Sequence, residues 1–415
     1  MQRTYNVHLS IGPQVLEDLA AFCTQSELSH GVIVADANTY RTLGQEVERL
    51  LRDRGFDVTV ALLQGDEVVA DAEHILQLLL QIDRRPQTLI AVGSGTITDI
   101  TRFVSHRTQN DFLSLPTAPS VDGFASIGAP LIVDGVKTTY ITQPPAAIFA
   151  HTPTLAAAPP AMIAAGFGDM IAKYTSLADW QLGRLLWNEP YDEAIHQRFL
   201  AATNRCVEQA AAIGARSEAG IRTLIETLIE SGFCMLDFAS SRPASGAEHH
   251  YSHFWEMKLL NEGRPAILHG AKVGVATVEI ARQYERLLRL SRSELSDLLE
   301  TATRPDREQE VAAIRAVFGP MAPAIIQEQR PFLDMDDGAF DALKERILTH
   351  WSDIQKIASQ VPSASALTAL LETVGGPVDV AGLGLTDAEL TLAEQNGHYL
   401  RERFTVRKLM RVLGV

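Results

Sequence analysis

The chain has 415 residues, 46% of them hydrophobic and 21% charged, which suits a large apolar core and more than one domain. Its net charge of −15 argues against a nucleic-acid partner, which wants a basic surface, but leaves room for a small anion held by a local cluster of donors. No run approaches the roughly 18 apolar residues of a membrane span, the segment Met1–Asn6 lacks the apolar region of a signal peptide, and Cys23, Cys206 and Cys234 are too few and too far apart for a disulfide framework or a zinc motif, so a cytoplasmic protein with free, buried thiols is expected.

Residues 1 to about 150 alternate between short apolar runs and helical stretches. Gly31–Asp36 is short and β-branched and reads as a buried strand. Residues 40–54 have helical periodicity, and Val58–Leu63 reads as the next strand. Over residues 68–83, Val68, Val69, Ala72, Ile75, Leu76 and Leu79 fall at helical spacing. Thr88–Val92 is a third strand, followed by a glycine turn and a helical stretch, Ile100–His106. Ala147–Ala150 reads as the last strand. Such alternation implies a parallel sheet with crossover helices. From about residue 153, segments rich in Ala, Leu, Glu and Arg predict helices over 161–184, 191–213, 217–238, 270–288, 293–303 and 307–317, with Pro159-Pro160 near the start of the first. Residues 399–406 read as a terminal helix. The expectation is an α/β N-terminal domain with a Rossmann-like parallel sheet (residues 1–153) and an all-α C-terminal domain (residues 154–415).

Two regions carry chemistry. The strand at 88–92 runs into Gly93-Ser94-Gly95-Thr96-Ile97-Thr98-Asp99. Glycines at a strand-to-helix turn let backbone approach a ligand, and the helix start offers N–H groups to a pyrophosphate. The third glycine of the dinucleotide fingerprint is missing. Asp36, at a strand end, suits hydrogen bonds to ribose hydroxyls. The loop Leu115–Ser126 follows an apolar segment and carries Thr117, Ser120, Asp122 and Ser126 near the carboxyl end of a strand, where open α/β sheets bind ligands. The second region joins Gly166-Phe167-Gly168-Asp169 to Glu248-His249-His250-Tyr251-Ser252-His253 and Leu268-His269-Gly270. One carboxylate and two imidazoles from separate segments make a metal site of catalytic type, with a position left open for water or substrate oxygen.

These pieces resemble the sn-glycerol-1-phosphate dehydrogenases, in particular their bacterial branch. That family lies in the superfamily of dehydroquinate synthases, glycerol dehydrogenases and iron-type alcohol dehydrogenases. The resemblance is carried by Gly93–Asp99, Pro116–Gly123, Ala165–Lys173, Pro243–His249 and His269-Gly270, and extends over nearly the whole chain. It implies a dehydroquinate synthase-like fold. It further implies that Gly93, Gly95, Thr96, Ile97, Thr98 and Asp99, with Thr117, Ser120 and Ser126, hold NAD or NADP. Asp122 and Asp169 would contact substrate, His253 would face it, and Asp169, His249 and His269 would bind one divalent metal ion. His250 is at no ligand position and falls to a supporting or surface role. Iron-type relatives carry a fourth ligand, a His, four residues after the Asp. Lys173 stands there, which favours a three-ligand Zn or Ni site.

The implied reaction is hydride transfer between NAD(P)H and C2 of dihydroxyacetone phosphate, giving sn-glycerol 1-phosphate. Asp36 would repel the 2′-phosphate of NADP, a lean toward NAD. Lys137, Lys173, Arg242 and Lys258 are candidates for holding the substrate phosphate, and a homodimer is expected. The alternatives are a glycerol or polyol dehydrogenase, a dehydroquinate synthase-type cyclase, and a binding or sensor protein that keeps the cofactor site without turnover.

Overall fold

The computed structural model describes residues 6–65, 67–133 and 136–415; the reading of residues 1–5 lies outside them. The chain forms two compact units that interleave in sequence. One contains the described residues up to 170 together with 204–239 and 373–375, and the other contains 171–203, 240–372 and 376–415. The change from strands to helices falls after His151, near the division at 153, whereas the compact units cut across it.

The first unit is built on a six-stranded sheet. Its strands are β1 (His8–Gly12), β2 (Gly31–Asp36), β3 (Val58–Leu63), β4 (Thr88–Gly93), β5 (Asp111–Pro116) and β8 (Ala147–His151), in the order β1-β8-β5-β4-β2-β3. Every pairing is parallel. Val32 and Val34 pack on one face of β2 and Ile33 and Ala35 on the other, each in its own apolar cluster. Burial of both faces explains why these strands read as unbroken apolar runs. The antiparallel hairpin β6 (Gly128–Val133) and β7 (Val136–Ile141) carries no strong alternation and is not among the expected strands, nor is β1.

One expected helix is shorter than its periodicity. The helix begins at Ala72, not Val68. Asp71 caps it by accepting the His74 N–H at 2.9 Å, while the backbone at 70–71 pairs with Ile132 of β6. Tertiary pairing thus claims residues 68–71.

The second unit is helical. The expected helix 161–184 is interrupted at Ala172, giving Pro160–Ile171 and Lys173–Trp187. The helix Ala247–Asn261 is not among the helices expected from periodicity, because it buries histidines and Tyr251 beside Phe254 and Trp255 and so has no apolar stripe, although the resemblance places His253 one helical turn beyond His249. The terminal-helix expectation at 399–406 is corrected. Gly397–Tyr399 is a 3-10 turn, the chain then runs irregularly, and the helix is Val406–Leu413. Side chains satisfy the irregular backbone: Phe404 N–H donates to Glu189 Oε1 at 2.6 Å and Val406 N–H to Asp179 Oδ1 at 2.7 Å. Cys23, Cys206 and Cys234 are buried and form no disulfide. Among the described residues no helix is long and apolar enough to cross a membrane.

Candidate metal centre and cofactor turn

In the strand order, β2 leads on to β3 on one side while its neighbour β4 leads to β5 on the other. The sheet therefore changes direction between β2 and β4, and ligands of open α/β sheets bind outside such a point. Asp36 ends β2, Gly93 ends β4, and Pro116 ends β5 paired with Gly93. Asp36, Gly93 and Thr117, the residue after Pro116, thus lie at the carboxyl ends of three adjacent strands.

The turn is close-packed. A Cβ on Gly93 would sit 2.5 Å from the Ile97 Cβ, so only glycine fits there. Ser94 precedes the helix Gly95–Thr108 but does not cap it with its side chain. Its hydroxyl instead lies 2.6 Å from that of Ser120, leaving the first-turn N–H groups uncapped and oriented for an anion. Thr117 N–H donates to the Gly93 carbonyl at 3.2 Å. Ser126 Oγ donates to the Gly123 carbonyl at 3.2 Å. The Asp36 carboxylate accepts the N–H groups of Asn38 and Thr39 at 2.7 and 2.8 Å through one oxygen, Oδ1.

Asp99 faces inward to Arg102, whose fully buried guanidinium donates to Asp99 Oδ1 at 2.7 Å. The same guanidinium donates to the carbonyls of Gly123, Phe124 and Gly128 at 2.6, 3.0 and 2.9 Å. It thereby ties the cofactor helix to the loop that carries Asp122. Burial pushes the Asp99 carboxyl up to about 7 against the opposing charges of Arg102 and Lys137.

Asp122 and Asp169 meet directly. The Asp122 N–H donates to Asp169 Oδ2 at 3.0 Å, and Ser231 Oγ donates to Asp122 Oδ2 at 2.7 Å. The contact depends on Gly166, one turn before Asp169. A Cβ there would lie 1.8 Å from the Pro119 carbonyl oxygen. Asp169 itself is fully buried.

His249 and His253 lie one turn apart on the helix Ala247–Asn261, and His269 begins the helix His269–Arg289. Ring centroids are 5.3 Å apart for His249 and His269, 5.7 Å for His253 and His269, and 6.2 Å for His249 and His253. Asp169, His249 and His269 each offer a ligand atom, and these atoms lie within 4.8 Å of one another. One carboxylate oxygen and two imidazole nitrogens at that spacing fit a divalent metal ion. His253 Nδ1 lies 3.5 Å from Glu256 Oε2. His250 is fully buried with neither ring nitrogen hydrogen-bonded, which corrects the surface alternative. Burial, reinforced by Arg403 and Lys408, holds its pKa well below the usual histidine range.

Of the candidate phosphate donors, Arg242 is held by Glu189 at 2.6 Å and Glu402 at 3.2 Å, and Lys258 pairs with Glu262. Lys173 is fully buried and donates to the Ala244 carbonyl at 3.2 Å. Lys137 is half-buried, its charge near Asp99. Sequence reasoning missed Arg102, Ser231 and Glu248. Only Glu248 left a signal, as the residue directly before His249.

The family model described as iron-containing alcohol dehydrogenase matches residues 10–159. The glycerol-1-phosphate dehydrogenase, NAD(P)+-linked by its name, of Geobacillus thermodenitrificans is 40% identical over 95% of this chain and 90% of its own. The protein of the same name from Halalkalibacterium halodurans is 39% identical over 96% and 90%. A crystal structure of a probable glycerol dehydrogenase from Sinorhizobium meliloti matches with a TM-score of 0.62 at 16% identity, covering 98% of this chain and 96% of that one. That likeness speaks for the fold alone.

Proposed function

The chain belongs to the glycerol-1-phosphate dehydrogenase family, and from that premise we propose that it is a metal-dependent oxidoreductase interconverting dihydroxyacetone phosphate and sn-glycerol 1-phosphate with NAD(P)H. The observation that carries the reading is the convergence of Asp169, His249 and His269. The relatives' shared name favours this reaction over a polyol dehydrogenase or a cyclase on the same scaffold.

A bound divalent ion supplies a Lewis acid for the C2 carbonyl, and bound NAD(P)H supplies the hydride. The chain's own residues do the rest. Asp169, His249 and His269 hold the ion, with Zn or Ni the better fit to their donor set. The N–H groups at the start of the Gly95–Thr108 helix receive the pyrophosphate, Thr117, Ser120 and Ser126 line the same edge, and Asp36 favours unphosphorylated ribose. Asp122, fixed by Asp169 and Ser231, orients the substrate. His253, with Nδ1 toward Glu256, exchanges a proton with the C2 oxygen through Nε2. The functional division gives residues 1–153 to the cofactor and 154–415 to metal and substrate, with Asp122 reaching the substrate from the first part. The enzyme works in the cytoplasm as a homodimer.

The test is NADH and NADPH oxidation with dihydroxyacetone phosphate, on chelated protein and on protein restored with Zn²⁺ or Ni²⁺. The expected result is metal-dependent oxidation giving a product that a dehydrogenase specific for sn-glycerol 3-phosphate refuses. Absence of oxidation with either metal and either nucleotide overturns the substrate assignment.

A further inference from the structure

Glu248 is a carboxylate with no contact to water, placed directly before His249. Its Oε1 accepts the Gly246 N–H at 2.6 Å and lies 2.8 Å from His249 Nδ1. Its Oε2 accepts the Thr175 hydroxyl at 2.8 Å. A second buried carboxylate, Asp179, accepts the Ala247 N–H at 2.7 Å and the Tyr284 hydroxyl at 2.6 Å. Thr175 and Asp179 lie one turn apart on the helix Lys173–Trp187. That helix therefore grips the first turn of the His249 helix at two points.

We infer that Glu248 is the positioning residue for His249: its carboxylate accepts a hydrogen bond from Nδ1–H, fixes the tautomer with the lone pair on Nε2, and stops the ring from rotating. Oε1 already accepts the Gly246 N–H, so it is an acceptor, and a ring nitrogen 2.8 Å from an acceptor oxygen pairs with it by donating. An orienting acceptor on the far nitrogen of a metal-binding histidine sets both its direction and its basicity. The inference rests on the metal role proposed for His249. A purely structural alternative is built into the same geometry, because the Gly246 N–H bond also caps the helix start.

The experiment separates the two. Glu248→Gln is isosteric. Its amide oxygen can replace Oε1 for Gly246 and His249, and its NH₂ can donate to the Thr175 hydroxyl. The cap therefore survives and only the charge is lost. Glu248→Ala removes the acceptor as well. In metal-free protein, nitrogen-15 NMR of the His249 ring, assigned by difference with His249→Gln, reports the tautomer without reference to turnover. The parent is expected with its proton on Nδ1, and Glu248→Ala with a mixed or reversed tautomer. Zinc affinity, read by competition with a chromophoric chelator, is expected to fall about tenfold in Glu248→Gln and up to about 100-fold in Glu248→Ala. Parental zinc affinity in folded Glu248→Gln, or a parental tautomer in folded Glu248→Ala, overturns the inference. If Glu248→Ala does not fold, zinc affinity in Glu248→Gln decides alone. If the tautomer and affinity behave as expected while dihydroxyacetone phosphate is not reduced, it is the substrate reading that fails.

Discussion

Replacing Gly166 by Ala should cut catalysis on the order of 100-fold while leaving the protein folded. The added Cβ would stand 1.8 Å from the Pro119 carbonyl oxygen, where side chains do not approach closer than 3.0 Å, so the loop or the helix must move by at least 1.2 Å. Leu228 Cδ1, 3.2 Å from the same Cβ, hinders relief on that side. Overpacking of this kind costs about 1–3 kcal/mol, and the better helix propensity of Ala returns up to about 1 kcal/mol. The folded state should therefore survive with a lower Tm. The chemistry has less tolerance, because the displaced loop carries Asp122, whose N–H bonds Asp169 one turn beyond Gly166. A misplacement of about 1 Å can cost on the order of 100-fold in rate, or about 2.7 kcal/mol of transition-state stabilisation. The assay is kcat/KM for dihydroxyacetone phosphate reduction beside calorimetric unfolding. Gly338→Ala serves as control, since its Cβ would meet only Asp336 Oδ1 at an ordinary 3.5 Å. A Gly166→Ala protein with parental kcat/KM refutes the reasoning.

His249→Ala and His269→Ala should each purify folded but metal-free and inactive. Elemental analysis checks this, and full occupancy in both would remove them from the ligand set. Arg102→Met leaves Asp99 buried without its partner and strips donors from three carbonyls, so denaturant unfolding should show a loss of about 3–5 kcal/mol; a stability equal to the parent's would contradict it. Burial and the Glu248 charge push Asp179 up to about 7 from 3.8, against its hydrogen bonds to Tyr284, Ala247 and Val406. Folding therefore favours its protonated form. The contribution is fully present below about 4 and is lost as pH rises through 7. Thermal unfolding between those values should show a flatter profile for Asp179→Asn than for the parent, and parallel profiles would count against the assignment.

The sheet was legible because β2 and β4 are buried on both faces and the edge strand β3 still buries Val58, Ala61 and Leu63, so their apolar runs needed no tertiary information. The cofactor turn was legible for a related reason: Gly93 and Gly95 mark close backbone approach, and a turn leaves its own sequence sign. Periodicity did not show the helix Ala247–Asn261. Burying His249, His250 and Tyr251 erased the apolar stripe by which helices are recognised, although the histidines themselves drew attention to the segment. Residues 399–406 misled for the opposite reason. Their composition suits a helix, but Glu189 and Asp179, far away in sequence, supply acceptors to the backbone and hold it irregular. Arg102 and Ser231 left no sign, because what they do is set by the loop that folds against them.

Lys173 tests how far the support of the proposed metal centre reaches. In iron-type relatives a His four residues after the metal-binding Asp adds a ligand, so Lys173→His could be expected to restore an iron site. The surroundings argue otherwise. Lys173 is buried, its ammonium donates to the Ala244 carbonyl at 3.2 Å, and its charge opposes the burial that pushes the Glu248 carboxyl up. Removing that charge leaves Glu248 harder to ionise, and Glu248 Oε1 lies 2.8 Å from His249 Nδ1. A neutral imidazole at 173 would weaken an existing ligand while offering a new one, and it could not reach Ala244 as the longer lysine does. Lys173→His should therefore bind zinc more weakly than the parent and gain no iron-dependent activity. Zinc titration and turnover after anaerobic loading with Fe²⁺ check this, and tighter zinc binding or iron-supported turnover would show that the cation at 173 only fills space.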